Sequence, residues 1–128
     1  MVLAMTAIVL SIALHRFAAL RDATSVRAAV GDLGSAFSLA RQFAVSRRRV
    51  VAIVLDTARG TVELRSDGVS IVRRQLGASY GVHLGSNRDS AVFDPRGLGY
   101  GLSNLSVAIR RGNFVDTLTM SRLGRVRW

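Results

Sequence analysis

The first 14 residues form an uncharged and almost wholly apolar stretch, which predicts a helix for a membrane or a filament core. They are fewer than the roughly 20 residues that a helix needs to cross a bilayer. Extending the helix to residue 20 reaches that length, with Arg16 snorkelling towards the interface. The apolar residues assigned to this helix are Met1, Val2, Leu3, Ile8, Val9, Leu10, Ile12 and Leu14.

Two other interpretations of this stretch stay open. A helix buried in the core of a soluble domain has the same composition, and so does a cleaved secretory signal. The signal interpretation has less support, because no basic segment precedes the apolar run and no small-x-small site follows it.

Between residues 17 and 46, apolar residues recur at spacings of three and four, which predicts an amphipathic helix. Gly31 and Gly34 each weaken this helix by roughly 1 kcal/mol relative to alanine, and we expect them to let a neighbouring backbone approach. The triplet Arg47-Arg48-Arg49 indicates the helix end, where cations meet a partial negative charge. An anion site is the alternative for the triplet. The apolar stripe consists of Val26, Val30, Leu33, Phe37, Ala40 and Ala44.

After residue 49 the pattern changes from helical to that of β-strands. Residues 50–55 form a β-branched run typical of a buried strand, and residues 61–65 alternate with period two. Ser66-Asp67-Gly68 predicts a turn that makes a β-hairpin with residues 69–72. Asp94-Pro95-Arg96-Gly97 predicts a type I turn, with proline second and glycine fourth. Further strands are predicted at residues 81–84, 91–93, 105–110 and 114–121.

The order of elements predicts an α+β fold, in which a long N-terminal helix, apolar and then amphipathic, packs on an antiparallel β-sheet domain. With 128 residues the chain is long enough for one modest core. We divide it into an apolar segment (residues 1–20) and a globular part (residues 21–128). The globular part comprises the amphipathic helix (residues 21–48) and a β domain (residues 49–128).

The charge of the chain is strongly positive. Eighteen cationic residues oppose eight acids, giving a net charge of +10, and every cation is an arginine. The planar fork of arginine suits phosphate and carboxylate groups, although a GC-rich genome favours the same bias. The chain has no cysteine, which excludes disulfides and thiolate metal sites.

Catalysis and cofactor binding find little support in the residues available. Two histidines and one glutamate leave few ligands for a metal ion. Ser79, His83 and Asp89 have the residue types of a hydrolase triad but no nucleophile-elbow motif. Residues 97–101 are rich in glycine but lack the lysine of a phosphate loop, so we interpret them as a turn between strands. We predict a non-enzymatic protein with no cofactor, no metal and no small-molecule substrate.

The whole chain resembles the GspH/FimT family, the minor pseudopilins of type II secretion systems and minor pilins of type IV pili. Its long helix, apolar and then amphipathic, with an end rich in alanine and arginine, is typical of pilin-like proteins. The C-terminal motifs that carry the resemblance are Phe93-Asp94-Pro95-Arg96-Gly97, Leu105-Ser106-Val107, Leu118-Thr119-Met120-Ser121 and Gly124-Arg125-Val126-Arg127.

The resemblance implies a single-pass protein of the bacterial inner membrane, with its C-terminal domain in the periplasm or in an extracytoplasmic filament. The implied partners are the inner membrane and other pilins or pseudopilins of the same filament. In the family, a basic leader, a Gly-Phe or Gly-Met junction and a glutamate precede the apolar helix. We expect in-frame codons before Met1 to encode them; the alternative is that this protein has lost processing.

Two functions follow from the resemblance. The first is structural: a subunit that helps to prime or cap a filament. The second is a filament-tip DNA receptor for natural transformation, because Gly124-Arg125-Val126-Arg127 matches the basic motif of a FimT-type subgroup. A cytoplasmic nucleic-acid-binding domain is a third interpretation, against which the apolar N-terminus argues.

A sequence-independent DNA or anion site is expected near the C-terminus. We expect antiparallel pairing to bring its arginines to one end of the sheet, with Trp128 either stacking on bases or packing on its own domain. Diffuse attraction of a +10 protein to any polyanion is the alternative. The candidate residues are Arg110, Arg111, Arg122, Arg125 and Arg127.

Overall fold

The computed structural model describes residues 1–99 and 104–128 of the chain. Its main helix, α1 (Val2–Arg47), is followed by a β half that also contains a short helix, α2 (Leu76–Tyr80). The strands are β1 (Val51–Asp56), β2 (Thr61–Ser66), β3 (Val69–Gln75), β4 (His83–Ser86), β5 (Ser90–Phe93), β6 (Leu105–Arg111), β7 (Phe114–Met120) and β8 (Val126–Arg127).

The second half of α1 is amphipathic and the first half is exposed. All six residues of the apolar stripe are buried, which confirms the helical period. The helix ends at Arg47, and Arg48 adopts a left-handed conformation with φ of 52°. The backbone N–H of Arg48 donates to the carbonyl of Ala44, so the arginine triplet forms the helix end as predicted.

The strands form two antiparallel four-stranded sheets. The first has the order β3-β2-β1-β5, and Ile53 at its centre lies opposite Leu64 of β2 and Ala91 of β5. The second has the order β4-β6-β7-β8, and Val107 lies opposite Leu118 of β7 and Ser86 of β4. Alternate residues of β1 and β6 are buried, as expected where one face of each sheet packs on the core.

Helix α1 packs against strands of both sheets and shares one hydrophobic core with them. At its centre the rings of Phe37 in α1 and Phe93 in β5 meet edge to face, with their centroids 6.4 Å apart. The α+β fold, with a long N-terminal helix on an antiparallel β half, is confirmed.

Two aspartates of α1 attach the helix to the β half. Asp22 forms an ion pair with Arg111 at the end of β6, with Oδ1 and Nε 3.0 Å apart. Asp32 forms an ion pair with Arg74 of β3 and accepts a hydrogen bond of 3.1 Å from the hydroxyl of Tyr80. The carbonyl of Tyr80 accepts a hydrogen bond of 2.7 Å from Arg111. Tyr80 of α2 therefore connects both ion pairs.

Several elements differ from the sequence prediction. Helix α2 was not predicted, and β4 begins at His83 rather than at residue 81.

The turn predicted at residues 94–97 is present and is closed by a hydrogen bond of 2.9 Å from the N–H of Gly97 to the carbonyl of Asp94. Of the glycine-rich segment at residues 97–101, the last two residues lie outside the described part of the chain.

Candidate functional site

The apolar segment is exposed along its whole length. Each of the eight apolar residues assigned to it has at least half of its surface accessible; for Leu3 the exposed fraction is 86%, and for Ile8 it is 61%. Helix α1 is long and apolar enough to cross a membrane, and none of its apolar window is buried. A helix of the domain's own core would be covered by the domain, so the core-helix interpretation is wrong.

The chain ends in a tight turn and a short strand. Strand β8 pairs with the end of β7, with Arg127 opposite Thr119 and Val126 opposite Met120. Two backbone hydrogen bonds close the turn: the N–H of Ser121 donates to Arg125 (2.8 Å), and the N–H of Gly124 donates to Ser121 (3.0 Å). The tail is therefore an ordered part of the second sheet.

The turn that precedes β8 rests on the loop at residues 94–99. The Cα of Gly99 lies so close to the turn that a Cβ built on it would be 2.9 Å from the carbonyl oxygen of Arg122. Arg41 of α1 reaches the same loop, with its Nε 3.1 Å from where a Cβ of Gly97 would be. The loop therefore brings α1 and the tail together.

Asp94 organises this loop. Its carboxylate accepts hydrogen bonds from the backbone N–H groups of Arg96 and Leu98, at 2.9 and 3.0 Å, and forms an ion pair with the guanidinium of Arg96. The N–H of Leu98, followed by the contacts with Arg96, holds the pKa of Asp94 below its ordinary value, although partial burial opposes this. The negative charge of Asp94 is thus already engaged by its own loop.

Four exposed arginines surround this loop and the tail. Three of them, Arg122, Arg125 and Arg127, were predicted as site residues. The fourth, Arg41, comes from a helix some 80 residues earlier in the chain, and no linear motif links it to the tail. We call these residues the tail patch: Arg41, Arg122, Arg125 and Arg127. Guanidinium groups arranged in this way can donate hydrogen bonds to phosphate oxygens.

Trp128 packs on its own domain, one of the two alternatives for this residue. Atom Cζ3 of its indole lies 2.8 Å from where a Cβ of Gly34 would be. The close approach expected at Gly34 therefore exists, but the neighbour is an aromatic ring rather than a backbone. Gly31 has no such neighbour within 4 Å. The exposed fraction of Trp128 is 62%, so much of the ring still faces solvent.

The other two candidate arginines lie at the opposite end of the second sheet. Arg127 lies opposite Thr119, which lies opposite Ser106 in β6, whereas Arg110 lies four residues further along that strand. Four residues of a strand span about 13 Å. The expectation that all five arginines share one end of the sheet is wrong, because β8 pairs with the far end of β7.

Arg110 and Arg111 also differ from each other. Arg110 is exposed, whereas the side chain of Arg111 is 26% exposed and is held by Asp22, Ser25 and Tyr80. Its guanidinium therefore joins α1 to the β half, and most of its donors are already used.

Comparisons with known proteins agree with this geometry. The family model for the type II transport protein GspH matches residues 29–124. The chain belongs to the GspH family. This confirms the resemblance to minor pseudopilins and minor pilins, a family of structural subunits that assemble with other pilins. A comparison with curated proteins finds no match.

Two crystal structures of the type IV minor pilin FimU of Pseudomonas aeruginosa (strain PAO1) have a similar fold. The structure in space group P21 matches with a TM-score of 0.69 and 17% identity, over 81% of this chain and 87% of that chain. The structure in space group P65 matches with a TM-score of 0.65 and 17% identity, over 79% of this chain and 90% of that one. The GspH-family chain thus has the pilin fold.

Proposed function

We propose that this protein is a non-enzymatic minor pilin or pseudopilin of a type II secretion or type IV pilus machine, where it helps to prime or cap the filament. The observation that carries the proposal is the exposed apolar half of α1, continuous with a helix whose other half is buried. Residues 1–20 anchor the protein in the bacterial inner membrane in a single pass, with the β domain in the periplasm.

The dimensions of α1 fit this role. Twenty helical residues measure about 30 Å, the thickness of the hydrocarbon core of a bilayer. Exposed apolar surface costs roughly 25 cal/mol per Å² in water. Lipid covers that surface in the membrane, and the apolar helices of neighbouring subunits cover it in the filament. The same side chains therefore serve both as anchor and as assembly surface.

The test compares two substitutions in α1. Ile8→Asp places a negative charge in the middle of the apolar segment. Ser38→Asp places the same charge on the solvent-exposed side of the half of α1 that packs on the β domain. An aspartate in the middle of a membrane helix costs roughly 2.5–3.5 kcal/mol on translocon scales. Ile8→Asp should move the protein from the membrane fraction to the soluble fraction and remove it from sheared filaments. Ser38→Asp should do neither. Recovery of the unchanged protein wholly in the soluble fraction, without detergent, would refute the anchor.

We also propose a second function, as a DNA receptor at the filament tip, which the tail patch favours. Its four arginines are exposed, and Asp94, the acid of the loop on which the tail rests, is engaged by that loop. Pairing with β7 and the contact between Trp128 and Gly34 hold the tail in place. An ordered cationic surface of this kind contacts phosphate oxygens and is indifferent to base sequence.

The DNA test reverses charges in pairs. Arg125→Glu/Arg127→Glu should weaken binding of labelled DNA at fixed salt by at least tenfold. It should also reduce the log–log salt slope by roughly 0.7–0.9 for each phosphate that the variant no longer neutralises. Arg21→Glu/Arg110→Glu is the matched control, since both arginines are exposed and lie near the β6–β7 hairpin tip, at the opposite end of the second sheet from the tail. Arg59 and Arg65 serve less well because each forms an ion pair, with Asp56 and Glu63 respectively. Equal losses of affinity from both pairs would mean diffuse attraction and no site.

A further inference from the structure

The tip of the β6–β7 hairpin overhangs the apolar segment of α1. A Cβ on Gly112, the residue at the tip, would lie only 2.5 Å from Oδ2 of Asp22. Between the hairpin tip and the helix is an open cleft of about 260 Å³. Its lining residues are His15, Ala18, Ala19, Asp22, Asn113 and Phe114. The cleft thus lies where α1 leaves the β domain, beside the last residues of the apolar segment.

Three exposed arginines of α1 lie around this junction. We call them the arginine collar: Arg16, Arg21 and Arg27. The guanidinium carbon of Arg27 lies 5.6 Å from the ring centroid of Phe114, which places it beside the hairpin.

The β6–β7 hairpin and the part of α1 that form this junction carry two acids, Asp22 of α1 and Asp116 of β7, and Asp22 is already neutralised. Asp22 is the single acidic residue among the first 31 residues of the chain. Its carboxylate is paired with Arg111, which is separate from the collar. The junction therefore presents an excess of positive charge around a small cleft.

The collar lies at the height of the lipid headgroups if residues 1–20 span the bilayer. At about 1.5 Å of rise per residue, Arg21 lies directly beyond the apolar segment and Arg27 about 9 Å further. The headgroup layer on each side of a bilayer is about 5–7 Å thick, and screening at physiological salt sets in at about 8 Å. Arg21 is within the headgroup layer. The backbone of Arg27 lies beyond that layer, and its long side chain extends back towards it, because side chains on a helix tilt towards the N-terminus.

We propose that this cleft and the arginine collar bind the headgroup of an anionic phospholipid in the leaflet from which α1 emerges. The proposal rests on the membrane anchoring in the proposed function. Guanidinium groups bind the phosphodiester by paired hydrogen bonds, and the amide of Asn113 at the hairpin tip supplies a further donor. Arginines next to a membrane helix are unusual on the exported side of a membrane, and anionic headgroups there offset their charge.

The test measures lipid selectivity of the full chain in neutral phosphatidylcholine vesicles. Trace spin-labelled phosphatidylglycerol or spin-labelled phosphatidylcholine reports which lipid the protein immobilises. The unchanged protein should prefer phosphatidylglycerol at least fivefold at low salt, since a single arginine near a membrane surface favours anionic lipid by about fivefold. The preference should fall as salt is added.

Two charge-reversed variants separate the collar from net charge. Arg21→Glu/Arg27→Glu should abolish the preference, and the neutral variant Arg21→Gln/Arg27→Gln should weaken it. Arg122→Glu/Arg125→Glu changes the net charge equally at exposed positions in the tail, away from the collar, and should keep the preference. Equal loss of the preference in both charge-reversed variants, or no preference in the unchanged protein, would overturn the proposal.

Flotation distinguishes this proposal from the one on which it rests. A chain that floats with neutral vesicles but shows no lipid preference overturns the headgroup site and leaves the anchor intact. A chain that does not float with neutral vesicles overturns both. Flotation together with a collar-dependent preference supports both.

Discussion

The indole of Trp128 lies on the surface of α1 at Gly34, where a Cβ would be 2.8 to 3.0 Å from three ring atoms. The last residue of the chain thus packs in the space left by a missing side chain in the middle of a helix. Strand β8 has only two residues, and so short a strand contributes little stability alone. The contact with α1 therefore helps to hold the arginines of the tail in place.

Alanine substitutions at the two glycines of α1 should have different effects. Gly31→Ala should stabilise the protein by about 0.5–1 kcal/mol, because alanine is the better helix former and the new Cβ has no neighbour within 4 Å. Gly34→Ala should not raise the free energy of unfolding in this way, because its methyl group displaces the indole of Trp128. Urea unfolding of the full chain in detergent measures both. The protein has a single tryptophan, so its emission should shift to longer wavelength in Gly34→Ala alone.

The control for this pair is the same comparison in a Trp128→Ala background. Without the ring, Gly34→Ala should stabilise the protein as much as Gly31→Ala does. If Gly34→Ala stabilises the unchanged protein as much as Gly31→Ala does and leaves the emission unmoved, the indole does not pack on α1 in solution.

Adjacent arginines of β6 should respond differently to lysine. Arg111→Lys keeps the charge but cannot reach Asp22, Ser25 and Tyr80 together, so it should cost about 1–2 kcal/mol of unfolding free energy. Arg110→Lys alters an exposed side chain and should change stability by less than about 0.5 kcal/mol. Chemical unfolding of both variants in the same detergent provides the measurement. Equal costs would contradict the role of Arg111 at the helix–sheet junction.

Asp94 should make the stability of the loop at residues 94–99 depend on pH. The hydrogen bonds from Leu98 and Arg96 lower the pKa of Asp94 from its ordinary value of 3.8. A carboxyl with a lowered pKa stabilises the folded state above its ordinary pKa, and this stabilisation is lost as the pH falls through the folded value. Asp94→Ala should therefore be less stable than the unchanged protein near neutral pH, and the difference should shrink below pH 3.8.

Urea unfolding midpoints measured between neutral pH and about pH 2.5 test this expectation. A difference between Asp94→Ala and the unchanged protein that stays constant down to the lowest pH would show that the charge of Asp94 does not stabilise the loop. The loop supports the turn that precedes β8, so Asp94→Ala should also weaken DNA binding if the tail patch is the DNA site.

The sequence predicted the structure correctly where apolar residues recur at a regular spacing that depends on burial. One face of α1 packs on the sheets, and this requires apolar residues at spacings of three and four. The buried stripe could therefore be predicted from the sequence, as at Val26, Val30, Leu33 and Phe37. The arginine triplet and the Asp94 turn also depend on neighbouring residues alone. Such local features need no knowledge of how the strands pair.

Features that depend on how distant strands pair or how distant residues pack could not be predicted from the sequence, and neither could very short elements. Helix α2 has only five residues, fewer than a helical period needs in order to be recognised. Arg110 and Arg125 are 15 positions apart and carry the same side chain, yet they lie at opposite ends of one sheet. Only the pairing of β8 with the end of β7 decides this. The same is true of Arg41, which reaches the tail through tertiary packing.

Tyr80 gives the junction between α1 and the β half a mechanical property. Its hydroxyl and its carbonyl connect the ion pairs at Asp22 and Asp32, which are ten residues apart in α1 and so about 15 Å apart along its axis. Tension along that axis loads both attachments in shear, together with the buried face of the helix. A force applied to residues 1–20 is therefore transmitted to the β domain through this face and at two points, the ion pairs of Asp22 and Asp32, and the domain moves with the helix as a single body.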